Sequence, residues 1–289
     1  MYLAKINPHP RDDKISFEEE NHIYQVGSDQ YTSMTTIIHS QFSEFNAKEV
    51  IRKMKRSQNW PNSKYFGKSD QEIADEWEKN RVDAANAGTQ MHAQIECFLN
   101  DFYEGIPPTV PSTPEFQQFL NFYRDFGRMF PQFKPFRTEW RIYHEKARIA
   151  GTIDYCMING VGEIIILDWK RSKEIKKENK YQRGKGPFSK FEDCNYNHYT
   201  CQLNGYAYII ETCYQMKVIG MFLAIFHPDQ SNYQFLQVAN VQNDIKELWS
   251  IKEAEVLAKQ AKQIFCIENP NDNIIDSLSN TVSKLSLGQ

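Results

Sequence analysis

Hydrophobic and polar positions alternate mainly in the second half of the chain, and more briefly at residues 15–38. In that half TEWRIYHEK (138–146), ARIAGTIDYCMI (147–158) and GEIIILDWK (162–170) predict three strands, the last with a buried IIIL run, and VIGMFLAIFHP (218–228) predicts a fourth. Elsewhere the apolar period is helical. Ser69, followed three residues later by Glu72, predicts the cap of a long helix through residues 69–102, with Gly88 expected to interrupt it as a break or close-approach point. PEFQQFLNFYRDFGRMF, YTCQLNGYAYIIETCY and DIKELWSIKEAEVLAKQAKQIF predict three more helices, the first preceded by a proline-bearing loop at 106–114. Residues 15–38 read as a hairpin turning at Gly27–Gln30, and Ser43 to Met54 is amphipathic and basic. Helices around a mixed sheet define an α/β (α+β) protein. The expected organisation is an N-terminal elaboration (1–84) wrapping a core (85–268), then a flexible tail (269–289).

Composition narrows this picture little. Charged residues make up 25% and hydrophobic ones 40%, as in ordinary globular chains. No apolar run approaches the roughly 18 to 20 residues that span a bilayer, and the first residues lack a secretory apolar region, so an intracellular, cytoplasmic protein is expected. Six scattered cysteines without a CxxC pair argue against a zinc ribbon or a disulfide scaffold. The net charge of −3 conceals strong local polarity. Residues 169–190 carry nine basic against two acidic side chains, and residues 48–68 carry seven against one, with Trp60, Tyr65 and Phe66 interleaved. Such stretches suit a phosphate backbone and its bases, which makes Arg171, Lys173, Lys176, Lys177 and Tyr65 candidate nucleic-acid contacts, with Ser33 added from the N-terminal segment. Solvated lysine loops would look the same.

Three residues carry the chemistry. Asp168 and Lys170, two apart on a strand, project from one face. Asp154 lies on the preceding strand. A two-residue turn would oppose Asp154 to Leu167, whereas a three-residue loop, Gly160-Val161-Gly162, opposes it to Asp168; Gly162 can supply the left-handed residue such loops need, so the three-residue loop is expected. Two carboxylates on one face repel unless a divalent cation lies between them, and oxygen ligands suit Mg²⁺ or Mn²⁺. Upstream, His92 and Glu96 share a helical face and could serve the same ion; Gln202 and Tyr206 share another. Each pair taken alone is equally compatible with a structural role.

In order, Gly88-Thr89-x-x-His92-x-x-x-Glu96, Glu139, Gly151-Thr152-Ile153-Asp154, Asp168-x-Lys170 and Gln202-x-x-x-Tyr206 resemble the PD-(D/E)xK nuclease superfamily, in particular its RecB-like branch. The resemblance covers residues 85 to 210. It implies a restriction-endonuclease-like core. It also implies metal ligation by His92, Asp154, Asp168 and the Trp169 carbonyl, catalysis by Lys170, help from Gln202 and Tyr206, and support from Glu96 and Glu139. The acid before Lys170 is Asp rather than the commoner Glu. The iron–sulfur cysteines of some branch members are missing, so no cluster is expected, and the chain looks more like the cluster-free mitochondrial genome maintenance exonucleases or phage-type recombination exonucleases. The N-terminal segment is similar to nucleases of large cytoplasmic DNA viruses, which implies a cytoplasmic setting. The expected activity is Mg²⁺- or Mn²⁺-dependent hydrolysis of DNA, as an exonuclease on single strands or duplex ends in repair, recombination or replication. A cap-snatching type of RNA endonuclease and a non-cleaving nucleic-acid binder are the alternatives.

Overall fold

The computed structural model describes residues 1–268; the expected flexible tail lies outside the described residues. The chain opens with a short helix α1 (Tyr2–Ile6), then strands β1 (Ile15–Glu18), β2 (Ile23–Val26) and β3 (Asp29–Ser33). Helices α2 (Met34–Ser40), α3 (Ala47–Lys55), α4 (Asp70–Glu104) and α5 (Pro114–Met129) follow. Strands β4 (Phe133–His144), β5 (Ile149–Asn159) and β6 (Ile164–Arg171) lead to α6 (Asn195–Cys213), β7 (Val218–Phe226), β8 (Gln234–Gln237) and α7 (Gln242–Glu268). The fold is mixed α/β: one eight-stranded sheet with parallel and antiparallel pairs, flanked by helices.

Two aromatic-rich layers cover the sheet. Phe116, Phe119, Phe122 and Phe126 of α5, with Ile95 and Leu99 of α4, bury Trp169, Leu167 and Phe226 on one face. On the other, Leu203, Ala207 and Ile210 of α6, with Trp249 of α7 and Met34 of α2, bury Ile164, Ile166 and Leu223. Burying side chains of this size supplies about 1.5–3 kcal/mol each.

Three expectations need correction. Helix α4 runs without interruption through Gly88, and a Cβ placed there would meet open space, so Gly88 is neither a break nor a close approach. A glycine costs about 1 kcal/mol in a helix, which the capping box at Ser69 and Glu72 offsets. The same helix carries residues 84 and 85, so the expected domain boundary falls inside one element. Finally, residues 15–38 form a three-stranded meander leading into a helix, and β3 adds in parallel to β5, pairing Thr32 with Ile149 and Ser33 with Ala150. The N-terminal strands are thus part of the main sheet.

Candidate active site

Strand β5 pairs with β4 along one edge for nearly its whole length. Its other edge is divided: β3 pairs with Ile149 and Ala150, and β6 with Tyr155 to Ile158. Between them lies a fork, because beyond Leu167 strand β6 leaves β5 and continues beside β7 alone. Asp154 sits in that fork.

Local sequence sets this geometry. The turn after β5 is the three-residue loop Gly160-Val161-Gly162, closed by the Asn159 N–H donating to Glu163 O (3.0 Å), with Gly162 at φ +84°. The resulting register places Tyr155 opposite Leu167 and therefore Asp154 opposite Asp168. On the other side Thr138 pairs with Tyr155 and Trp140 with Ile153, so Glu139 stands opposite Asp154. Glu139 adopts φ +43°, a left-handed conformation that a non-glycine residue holds only at a cost of about 1–3 kcal/mol. Alternation also breaks here. Tyr155 and Met157 face the α4–α5 layer, whereas Ile153, which strict period two would place with them, packs in the α6–α7 layer. Three acids from three neighbouring strands, Glu139, Asp154 and Asp168, consequently form one row across a kinked and divided sheet.

Side chains from both helical layers meet at the row. From α4, His92 Nε2 donates to the Trp169 carbonyl (2.9 Å), while Nδ1 lies 3.7 Å from both Glu139 Oε1 and Asp154 Oδ1. The Trp169 N–H donates to Asp154 Oδ2 at 2.7 Å. The freed strand thus has both backbone groups of Trp169 satisfied by site side chains. From the α6 side, the Tyr199 ring centroid lies 4.7 Å from Lys170 Nζ, which is 2.6 Å from Asp168 Oδ2. Tyr206, buried, accepts from Gln202 Nε2 (3.0 Å) and packs so tightly on β5 that a Cβ on Gly151 would stand 2.6 Å from its ring. A glycine is required at 151.

Charge is frustrated throughout the row. Burial pushes Asp168 up to about 6 despite the Lys170 ammonium, with Asp154 adding to the rise. Burial likewise raises Asp154, with His92 opposing and Glu139 reinforcing. For His92, burial favours the neutral ring, yet Asp154 and Glu139 outweigh it and raise the imidazole to about 9. Burial also disfavours charge on Lys170, but Asp168 and then Asp154 hold it cationic, above its ordinary value. Opposed shifts within a few ångströms occur at sites of chemistry and in structural ion-pair networks alike.

His92, Glu139 and Asp154 offer ligand atoms all within 4.8 Å of one another. One imidazole and two carboxylates with mutual repulsion fit a hard divalent cation, and the Nε2–carbonyl hydrogen bond orients the ring as metal-bound histidines are oriented. Asp168 lies against Lys170 rather than in the His92 cluster, where Glu139, expected as support, stands beside Asp154. The Trp169 carbonyl, expected as a ligand, receives the His92 Nε2–H. Sequence reasoning underrated Glu139, which stands between Thr138 and Trp140 with no break in the pattern to mark it.

The other expected residues are dispersed. Arg171 Nε donates to Glu115 of α5 (2.7 Å), and Lys173 pairs with Asp229 (2.8 Å). Lys176 and Lys177 are exposed, the latter 5.6 Å from the Tyr196 ring. The Ser33 hydroxyl accepts the Thr36 N–H as the cap of α2. The Tyr65 hydroxyl accepts from Trp77 Nε1 (2.8 Å), fifteen residues before His92, or roughly 22 Å along α4. Glu96, one turn beyond His92, lines the same cleft and is raised chiefly by burial.

No known family model and no curated protein matches this chain. Among solved structures, "Crystal structure of SSO0001" aligns at a TM-score of 0.25 and 16% identity over 46% of this chain and 55% of its own. The structure named "Putative exonuclease" from Eubacterium rectale aligns at a TM-score of 0.28 and 15% identity over 55% of each chain. The chain thus spans just over half of each, and similarity this low carries no functional argument. Among the described residues, no helix is long and apolar enough to cross a membrane.

Proposed function

We propose that this chain is a metal-dependent nuclease of the PD-(D/E)xK type, with a restriction-endonuclease-like core, that hydrolyses DNA phosphodiester bonds. The observation that carries the reading is the acidic row Glu139–Asp154–Asp168 across three strands, with His92 3.7 Å from two of its members and Lys170 against the third. That arrangement is costly for a fold and suited to phosphate chemistry.

In this reading His92, Glu139 and Asp154 hold a divalent cation, Mg²⁺ or Mn²⁺, with Asp168 completing its surroundings. Bound there, the ion would compensate the charge that develops on a phosphorane-like transition state. Lys170 supplies a permanent positive charge for a phosphate oxygen, and Asp168 and Tyr199 fix its position. Tyr206 and Gln202 brace β5 from behind. A single strand or a duplex end is the substrate that fits, in DNA repair, recombination or replication.

The test is cleavage of 5′- and 3′-labelled DNA, linear and circular, and of RNA of the same sequence, with Mg²⁺ or Mn²⁺. Metal-dependent loss of linear DNA is expected, and Asp154→Asn or Lys170→Met should reduce it by about 10²- to 10³-fold. A wild-type protein inert on every substrate, or folded variants as active as the parent, would overturn the reading. Preferential RNA cleavage would favour an endoribonuclease on the same scaffold.

A further inference from the structure

A cleft of about 870 Å³ opens at His92 and Glu139 and extends between α4 and the β1–β2 hairpin, lined also by Thr89, Arg141, Phe17 and His22. We propose that this cleft is the path of one nucleic-acid strand leading into the site, with Arg141 gripping a phosphate and Phe17 and His22 stacking on the neighbouring base. The proposal rests on the nuclease reading above and deepens it.

Arg141 is the first argument. It lies two residues beyond Glu139 on β4, roughly 7 Å along the strand, a distance comparable to the step between successive phosphates. It is exposed, and among the described residues it makes no ion pair. Arg137 on the same strand shows the structural alternative, being buried with its guanidinium 2.7 Å from Asp12. An exposed guanidinium without an ion-pair partner is free to take an anion, and its planar fork of donors matches phosphate.

The hairpin supplies the second argument. Phe17 packs on Tyr24 with ring centroids 4.4 Å apart, and the exposed His22 imidazole stands edge-on to Phe17 at 5.0 Å. His22 sits at φ +53°, a strained conformation in the β1–β2 turn. The Tyr24 hydroxyl is 2.9 Å from Thr152 Oγ1 on β5, two residues before Asp154, so the aromatic group is fixed to the site's own strand. The Arg141 guanidinium carbon lies 5.9 Å from the Phe17 centroid. A cation and aromatic faces within one base step of each other form a stacking platform for a single strand.

Acidic side chains decide between one strand and two. Glu19 and Glu96 also line the cleft. Their negative charge disfavours the higher phosphate density of a duplex more than a single strand held at Arg141.

The experiment measures anisotropy of fluorescein-labelled 20-mers (single-stranded DNA, RNA of the same sequence, blunt duplex) with Ca²⁺ in place of Mn²⁺ to limit cleavage. Wild type, Arg141→Gln, Arg141→Lys and the double variant Phe17→Leu/His22→Ala are compared after circular dichroism shows each folded. Arg141→Gln and the double variant should each weaken single-strand binding about tenfold, Arg141→Lys should recover only part of the loss, and wild type should prefer single strands to duplex. Unchanged affinities in folded variants, or a preference for duplex, would overturn the proposal. If wild type cleaves DNA while the variants bind and cut normally, the channel is wrong and the nuclease reading stands. If wild type never cleaves but the variants lose binding, the nuclease reading fails and the strand path remains. The ratio of DNA to RNA binding identifies which strand the cleft accepts.

Discussion

Two concentrations of charge in this molecule behave oppositely. In the segment 171–190, half of the eight cations are answered by the protein itself: Arg171 by Glu115, Lys173 by Asp229, Arg183 by Glu192 and Lys190 by Asp244. In the sheet fork, Glu139, Asp154 and Asp168 stand in a row with one imidazole and one ammonium to compensate them, and burial still drives Asp154 and Asp168 upward. The paired half of the first concentration organises structure; the second keeps its charges frustrated. Local net charge, which singled out the basic segment, is therefore a poorer guide to function than the failure of charges to be neutralised where they sit.

The sharpest way to break this contrast is to remove a structural partner. Glu115 and Arg171 form a mostly buried pair between α5 and β6. Glu115→Ala strands the guanidinium, and the expected cost is about 3 kcal/mol, read by urea denaturation. Glu115→Gln should lose less, because an acceptor remains. Stabilisation by Mn²⁺ should be equal in both variants and the parent. A stability change below about 0.5 kcal/mol would mean that Arg171 is not held structurally and returns to the list of strand-binding residues.

The frustrated region should respond to metal and pH together. Saturating Mn²⁺ at a hundred times its Kd should stabilise the fold by about 2.7 kcal/mol, seen as a rise in Tm that Asp154→Asn abolishes. The imidazole of His92, raised to about 9, is protonated at neutral pH and must release that proton before Nδ1 can hold a cation. Asp168, raised to about 6, is ionised only above that value. Affinity for Mn²⁺ should thus increase as pH rises from 6 towards 9, by up to tenfold per unit for one proton released. Without metal the sign is reversed for His92: its raised value stabilises the fold fully below about 6.5, and that contribution is lost as pH rises through 9. A Tm increment independent of pH would exclude His92 as a ligand.

How much of this was legible depended on the range of the interactions involved. The Asp154–Asp168 register followed from Gly160, Val161 and Gly162, because a hairpin loop is decided by adjacent residues. The helix start at Ser69 was legible for the same reason. Glu139 was not, since its place opposite Asp154 depends on a left-handed residue inside a strand and on a change of face that leave no periodic trace. Nor could β3 be placed beside β5, a parallel pairing over more than a hundred residues. Tyr199, rather than Gln202 or Tyr206, touches Lys170, because α6 begins four residues earlier than its apolar pattern suggested.

The smallest effect concerns the part of the basic segment that the protein does not neutralise. Lys176, Lys177, Lys180 and Lys185 are exposed, and among the described residues none of them forms an ion pair. If they track a backbone beyond the cleft, Lys176→Ala/Lys177→Ala should weaken single-strand binding only severalfold, because each phosphate contact is screened by solvent. Its signature is the salt dependence. Two phosphate contacts on a single strand contribute about 1.4 to the slope of log K against log salt, at about 0.7 each, so the variant's slope should be shallower by that amount and its affinity should approach the parent's at high salt. Lys173→Ala, which removes a cation already paired with Asp229, should leave the slope unchanged. Equal slopes in all three proteins would place the bound strand away from this segment and leave Arg141 and the fork as the whole of the interface.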